Sequence, residues 1–284
     1  MAVGKLYVVA TPIGNLADIT LRAIEVLKSV HCVAAEDTRH TLKLLTHYQI
    51  RKPLTSYHSH NVTEKGPVLI GKLQAGEDIA LVTDAGTPGV SDPGALLIEQ
   101  ALASHIPVEV VPGPTASVSA LVVSGLPTHP FAFLGFPPPK GSSRERFFTG
   151  AAHLAMTLIL YESANRLERT LSDMLTFWGD RRIAVARELT KIHEEVFRGR
   201  VSQAQAHFAE GTRGELTLVV AGADEVELAD SNGPDQWREE LQRLLSLKGM
   251  STRDAVKLIA TGFRVPRQRV YEKALEIVQQ SLDG

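Results

Sequence analysis

Short apolar, β-branched runs alternate with stretches of helical periodicity through the first 113 residues. Lys5–Val9 reads as a strand, Thr20–Ser29 as a helix and Cys32–Ala35 as a second strand, which is a βαβ rhythm. A helix over Thr38–Tyr48, a short strand near Leu54–Ser56 and a helix from Asn61 follow. The spacing Asn61…Glu64 predicts a capping box at the start of that helix. Ile79–Thr83 is a fourth strand, Pro93–Ser104 a helix and Val108–Val111 a fifth strand. Five strands joined by helices predict a mostly parallel sheet covered on both faces, so residues 1–113 read as one α/β domain.

From Thr115 the pattern changes. A helix rich in small residues leads to the strand Phe131–Phe136, a polar loop over Pro137–Ser143, and strands near Thr157–Tyr161 and Ile183–Ala186. The strands Glu194–Arg200 and Glu215–Ala221 follow more closely, and short connections favour antiparallel neighbours. Residues 114–228 therefore read as a second α/β domain with a mixed sheet. The small, polar, turn-forming run Ala229–Pro234 predicts a linker. Residues 235–284 then carry three helical patterns, Gln236–Leu247, Thr252–Ala260 and Pro266–Gln280, with Gly262 between the last two. That arrangement fits a helix-turn-helix and equally a plain helical bundle.

Composition narrows the class. The 284 residues are 44% hydrophobic and 22% charged, as in a soluble globular protein. No apolar run approaches the roughly 20 residues of a membrane-spanning helix, and Leu6–Ala10 is too short for a signal-peptide core, so a cytoplasmic protein without membrane contact is expected. Cys32 is the single cysteine, which rules out an internal disulfide and reads as a packed residue. His58 and His60, two apart with no third ligand nearby, are weak evidence for zinc, and no metal is expected. The formal net charge of −2 argues against a surface that clings to nucleic acid everywhere. From Asp235 onward, however, nine Lys and Arg face seven Asp and Glu, so any such contact is expected to be local.

In an open α/β sheet, chemistry is expected at the carboxyl ends of the strands. Three of the loops there are rich in glycine and proline: Ala10-Thr11-Pro12-Ile13-Gly14-Asn15, Asp84-Ala85-Gly86-Thr87-Pro88-Gly89-Val90-Ser91-Asp92-Pro93-Gly94, and Pro112-Gly113-Pro114-Thr115-Ala116. Glycine lets backbone approach a ligand and proline stiffens the loop, which together make a cradle of backbone donors and acceptors. Any one of these is also an ordinary tight turn. None matches the dinucleotide or triphosphate fingerprints G-x-G-x-x-G and G-x-x-x-x-G-K-[ST]. The small residues after Thr115 would let a ligand lie against helix N-terminal amides, and they would serve tight helix-on-sheet packing as well.

These three motifs, with Ala-Glu-Asp-Thr-Arg (35–39), Ser-Tyr-His-Ser-His-Asn (56–61), Tyr-Glu-Ser-Ala-Asn-Arg (161–166), Ala-Arg-Glu-Leu-Thr-Lys (186–191) and Gly-Glu-Leu-Thr-Leu-Val-Val (214–220), resemble the tetrapyrrole methylase superfamily. In detail they resemble its ribosomal RNA branch, the small-subunit methyltransferase I enzymes, over essentially the whole chain. The resemblance implies an α/β, two-domain tetrapyrrole-methylase-like (class III methyltransferase) fold with a C-terminal helical module. It also implies S-adenosyl-L-methionine in a cleft between the domains, a homodimer, and 2'-O-methylation of a cytidine in 16S ribosomal RNA of the small ribosomal subunit. Carried over by motif, the cofactor positions are Pro12, Ile13, Thr87, Val90, Ser91, Asp92, Thr115, Ala116, Tyr161 and Thr217. One departure stands out: the superfamily's Gly-Asp-Pro corresponds to Gly86-Thr87-Pro88, leaving Asp84 or Asp92 to replace its aspartate. A tetrapyrrole C-methyltransferase of the same fold is the nearest competing function, but its first loop would be Gly-x-Gly-Pro-Gly-Asp. A non-catalytic RNA-binding protein is the other, and it would not need three cradling loops.

Methyl transfer from a sulfonium needs in-line alignment more than a strong acid, while a ribose hydroxyl is helped by a base or a positive charge nearby. Residues at strand ends that can serve are Asp37 and Arg39, His58 and Asn61, Glu162 and Arg166, and Arg187, Glu188 and Lys191. Solvated charges and structural pairs are the plain alternative for each. Asp37, Arg39 and Glu162 are the expected catalytic residues, with the identity of the base left open. For RNA, His58, Asn61, Lys140, Arg144 and Arg187, and the trio Arg264, Arg267 and Arg269 in the C-terminal module, are the expected contacts, since arginine and lysine bind phosphates.

Overall fold

The structure, a computed structural model, describes residues 3–223, 236–246, 251–263 and 265–280. The expected linker at 229–234 and Arg264 fall outside them. Two compact units are present: Met1–Phe148 with Met156–Ala221, and Thr149–Ala155 with Gly222–Gly284.

The larger unit contains two five-stranded sheets. In the first, β1 (Leu6–Val9), β2 (Cys32–Ala35), β3 (Leu54–Ser56), β4 (Ile79–Val82) and β5 (Val108–Val111) are ordered β3-β2-β4-β1-β5 with every pairing parallel. All residues of β2 and β4 are buried, which is why they read as unbroken apolar runs rather than alternating ones. Helices α1 (Leu21–Ser29) and α2 (Thr38–His47) lie on one face, where Ala23, Leu27, Leu44 and Leu45 pack on Val9, Val33 and Val82. Helices α3 (Val62–Gln74) and α4 (Gly94–Ala103) lie on the other, with Leu69, Leu73, Leu97 and Ala101 against Leu6, Ala34 and Leu81. Cys32 sits in this second layer, buried, and burial raises the pKa of its thiol above the usual value. At the sheet's edge, Glu109 of β5 pairs with Lys5 and Arg22, and Arg22 also donates to the Val110 carbonyl.

Asn61 does not form the expected capping box. It begins α3, but its Oδ1 accepts from the His58 amide at 2.9 Å and its Nδ2 donates to the Ser56 carbonyl at 3.2 Å. The side chain folds back to close the 56–61 loop, so it is not available to the α3 amides ahead of it.

The second sheet comprises β6 (Phe131–Gly135), β7 (Thr157–Ser163), β8 (Arg182–Arg187), β9 (Glu195–Arg200) and β10 (Glu215–Val220), in the order β6-β7-β10-β8-β9. It is mixed: β6 and β7 run parallel, and the other pairings are antiparallel. The chain enters it through α5 (Ala116–Ser124), whose Ala120 and Leu121 pack on Ile159, Ala184 and Val219. Three further helices, absent from the expectations above, are α6 (Gly141–Ala151), α7 (Leu167–Trp178) and α8 (Val201–His207). Helix α6 takes up the end of the expected polar loop because Arg144 points inward and is only 3% exposed.

In the smaller unit, α9 (Gln236–Ser246), α10 (Thr252–Gly262) and α11 (Arg267–Gln280) bury Trp237, Leu241, Val256, Ile259, Val270 and Ala274 together. Gly262 ends α10 rather than lying wholly between helices, and the Ser251 hydroxyl caps the start of α10 by accepting from the Asp254 amide at 3.1 Å.

Candidate active site

The three glycine- and proline-rich loops converge. Thr11 and Gly86 exchange two backbone hydrogen bonds, at 2.9 and 3.1 Å, which tie the loop after β1 to the loop after β4. Gly86 holds φ +83°, a conformation that a side chain disfavours. The Thr11 hydroxyl adds a bond to the Thr83 carbonyl at 3.1 Å. Asp92 fixes the far end of the loop after β4, accepting from the amides of Gly89 and Gly94 at 2.9 and 2.7 Å. That bonding commits Asp92 to its own loop, whereas Asp84 begins the loop and accepts the Asp37 amide at 3.0 Å.

Above these loops is a cleft of about 440 Å³. Its floor is Ile13, Asp84–Thr87, Val90, Ser91 and Asp92, with Thr115 and Ala116 at the start of α5. The second sheet closes it with Phe136, Tyr161, Glu162, Leu189, Gly214 and Thr217. Tyr161 is set by aromatic contacts to Phe133 and Phe136 at 4.8 and 5.5 Å, and its phenol oxygen accepts the Ser117 amide at 3.2 Å. One N-terminal amide of α5 is therefore already bonded. Of the ten cofactor positions expected from sequence, nine line this cleft; Pro12 lines an adjoining pocket instead.

Glu162 lines the cleft, but its side chain is fully buried and bonded. It accepts from the Thr170 hydroxyl at 2.6 Å and the Ser163 amide at 2.8 Å, and the Arg166 guanidinium lies at 3.3 Å. Thr170 in turn accepts from Arg144 at 2.8 Å, and Arg144 bonds Asp173 at 2.6 Å and the Pro138 carbonyl at 2.9 Å. Arg166 donates to the Pro137 carbonyl and Arg169 to that of Pro139. Arginines thus clasp each carbonyl of the proline run that follows Phe136, and so hold Phe136 against the cleft. Arg144, expected among the RNA contacts, is a buried member of this network, since its donors are used inside the protein.

Asp37 and Arg39 lie off the cleft's lining. Asp37 is the N-cap of α2, accepting the Arg39 amide at 2.8 Å, and the two side chains form a salt bridge at 2.7 Å with Arg39 89% exposed. Hydrogen bonding by the Arg39 guanidinium and amide holds the Asp37 carboxyl well below the usual range. A carboxylate so held is a weak proton acceptor. His58 and Asn61 bond locally, as described above. Arg187 is paired with Glu195 at 2.9 Å. Lys140, Arg267 and Arg269 are exposed.

Cleft-lining residues that sequence reasoning passed over include Phe136, Leu189 and Gly214. Gly214 carries a signal: at φ +95° a Cβ would fall 2.3 Å from the Glu188 carboxylate. Glu188 and Thr190 also sit at positive φ, 50° and 66°, in the turn that follows β8. This turn presses on Gly14, where a Cβ would lie 2.4 Å from Lys191 Cγ and 2.8 Å from the Leu189 carbonyl. Lys191 bonds Glu188 and Glu215, each at 2.9 Å. Burial pulls the Lys191 pKa down, but these carboxylate bonds outweigh it, and the net shift is upward.

Residues 5–205 match the model of the Tetrapyrrole (Corrin/Porphyrin) Methylases. The chain is 47% identical over 276 residues to the Ribosomal RNA small subunit methyltransferase I of Synechocystis sp., covering 96% of this chain and 98% of that one. It is 44% identical to the protein of that name from Halalkalibacterium halodurans, covering 94% and 93%. Among solved structures, a uroporphyrin III C-methyl transferase from Thermus thermophilus superposes with a TM-score of 0.56 at 21% identity, over 76% of this chain and 97% of that one. A diphthine synthase superposes with a TM-score of 0.62 at 13% identity, over 77% and 90%. At those identities the superpositions speak to fold alone, and they agree with the two-sheet architecture. No described helix is long and apolar enough to cross a membrane. The chain belongs to the tetrapyrrole (corrin/porphyrin) methylase family, within its group of ribosomal RNA small subunit methyltransferase I proteins.

Proposed function

We propose that this methyltransferase transfers a methyl group from S-adenosyl-L-methionine to the ribose 2'-oxygen of a cytidine in 16S ribosomal RNA. The observation that carries the reading is the convergence of three strand-end loops on one cleft beside a carboxylate, Asp84, which no salt bridge occupies among the described residues. The cleft fits the cofactor. Apolar Ile13, Val90, Leu189 and Phe136 suit an adenine ring, and Gly86 and Gly214 hold positive-φ backbone at its border that a side chain would disfavour. When bound, the cofactor supplies an electrophilic methyl group on a sulfonium whose departure leaves a neutral thioether.

The residues of the chain do the rest. The loops fix the line of approach, which is the main requirement of an in-line displacement. Asp84 is placed to take the proton of the ribose hydroxyl as its oxygen becomes the nucleophile toward the methyl group that the bound cofactor would supply. Asp37 and Arg39 act one step back: the Asp37 amide orients the Asp84 carboxylate, and their ion pair fixes the start of α2 that presents this amide. Glu162 acts through the network that holds Phe136. The protein is assigned to the cytoplasm, where its ribosomal substrate is. It is also assigned to a homodimer: the outer face of α5 exposes Val118 and Val122, one turn apart. Arg267 and Arg269, on the smaller unit, are assigned to RNA phosphates.

The test is methylation of small-subunit ribosomal RNA with labelled cofactor, followed by alkaline hydrolysis. A 2'-O-methyl group removes the internal nucleophile, so label in an alkali-resistant dinucleotide beginning with cytidine is expected. Label in a porphyrinogen, or none in RNA, would overturn the reading.

Ala116→Leu tests the cofactor's place separately. Ala116 lines the cleft together with Tyr161 and Thr217, so added bulk there is expected to cost about 1–3 kcal/mol of binding. That is about 5- to 150-fold in S-adenosylhomocysteine affinity, read by calorimetry. Unchanged affinity would move the cofactor elsewhere.

A further inference from the structure

Beside the cofactor cleft lies a second pocket of about 380 Å³ that no role above uses. It shares Ile13, Thr83, Asp84, Ala85 and Glu215 with the cleft, so the two meet at the Asp84 carboxylate. Its walls differ in chemistry. One is apolar, from Pro12, Ile13, Leu16 and Leu44; the other carries the Lys43 ammonium and the His40 imidazole of α2.

We infer that this pocket seats the nucleotide whose ribose accepts the methyl group, with His40 and Lys43 holding one of its backbone phosphates. The inference rests on the RNA-methylating reading and deepens it.

Charge decides where the phosphate goes. Lys191 also lines the pocket, but with Glu188 and Glu215 bonded to it the trio carries a net negative charge and repels an anion. Lys43 is exposed, and neither it nor His40 forms an ion pair among the described residues. They are three residues apart on one helix and therefore neighbours on its surface. A phosphodiester on that wall puts the attached ribose at the junction, where Asp84 stands ready for its hydroxyl proton. The base then lies on Pro12, Leu16 and Leu44. A pocket of this size takes one nucleotide and no duplex, so the acceptor must be unpaired and turned out of its stack.

Two variants test this against an RNA fragment bearing the methylated site. His40→Gln combined with Lys43→Gln is expected to raise KM for RNA about tenfold or more. It is also expected to reduce the salt slope of RNA binding by about one charge and to leave kcat nearly intact. Leu16→Trp fills the pocket without touching the cofactor cleft. It is expected to lower kcat/KM more than about tenfold while S-adenosylhomocysteine affinity stays within about twofold. Unchanged KM and salt slope in the first variant, or unchanged kcat/KM in the second, would overturn the assignment. If the unmodified protein leaves RNA unlabelled, the RNA-methylating reading itself fails, a result distinct from either variant's.

Discussion

Asp84→Asn is expected to reduce methyl transfer about 10²- to 10⁴-fold, the usual worth of a positioned proton acceptor. Asparagine has nearly the same shape and its carbonyl oxygen can still accept the Asp37 amide, so the loop after β4 should keep its path. What disappears is the negative charge that takes the ribose proton. S-adenosylhomocysteine affinity should therefore hold within a few fold while kcat falls, which separates a chemical defect from a binding one. Raising the pH should restore part of the loss, because hydroxide then removes the proton without the side chain. A variant that turns over at the normal rate would mean that water or another group takes the proton and that Asp84 only shapes the cleft.

Arg144→Ala is expected to destabilise the larger unit by about 3 kcal/mol, the lower end of the cost of breaking a buried ion pair. The lower end applies because Asp173, left behind, is 25% exposed and can recover some hydration. The Pro138 carbonyl and the Thr170 hydroxyl lose their donor as well. Urea unfolding gives the stability directly. The same substitution should weaken cofactor binding from a distance, since the proline run that carries Phe136 would lose one of its clasps. A loss below about 1 kcal/mol would show that the Arg166 and Arg169 contacts suffice.

That residue also shows where the sequence stops being readable. The parallel sheet was legible because strands buried on both faces are unbroken apolar runs, as in Cys32–Ala35 and Ile79–Val82. Helix α6 was not, because its inward position is filled by a charged residue that periodicity counts as surface. Arg144 is buried only because Asp173, Thr170 and a proline carbonyl meet it from other elements, and no local pattern reports partners that distant. The cleft where the three loops converge was legible because it is made of loops with glycine and proline, whose backbone demands are written locally. Asp37 and Arg39 drew attention by adjacency, yet adjacency is what lets them pair with each other at a helix start. The second pocket needed the fold: Lys43 and Lys191 are 148 positions apart and converge only through the turn pressed on Gly14.

The ion pairs along β5 bear on how two copies of this chain can meet. An edge strand with open carbonyls invites another strand to extend the sheet. Here Glu109 is engaged by Lys5 and Arg22, and the Arg22 guanidinium occupies the Val110 carbonyl, so an incoming strand would have to displace a charged donor to bond that carbonyl. Sheet extension is opposed at this border by charge rather than by cover.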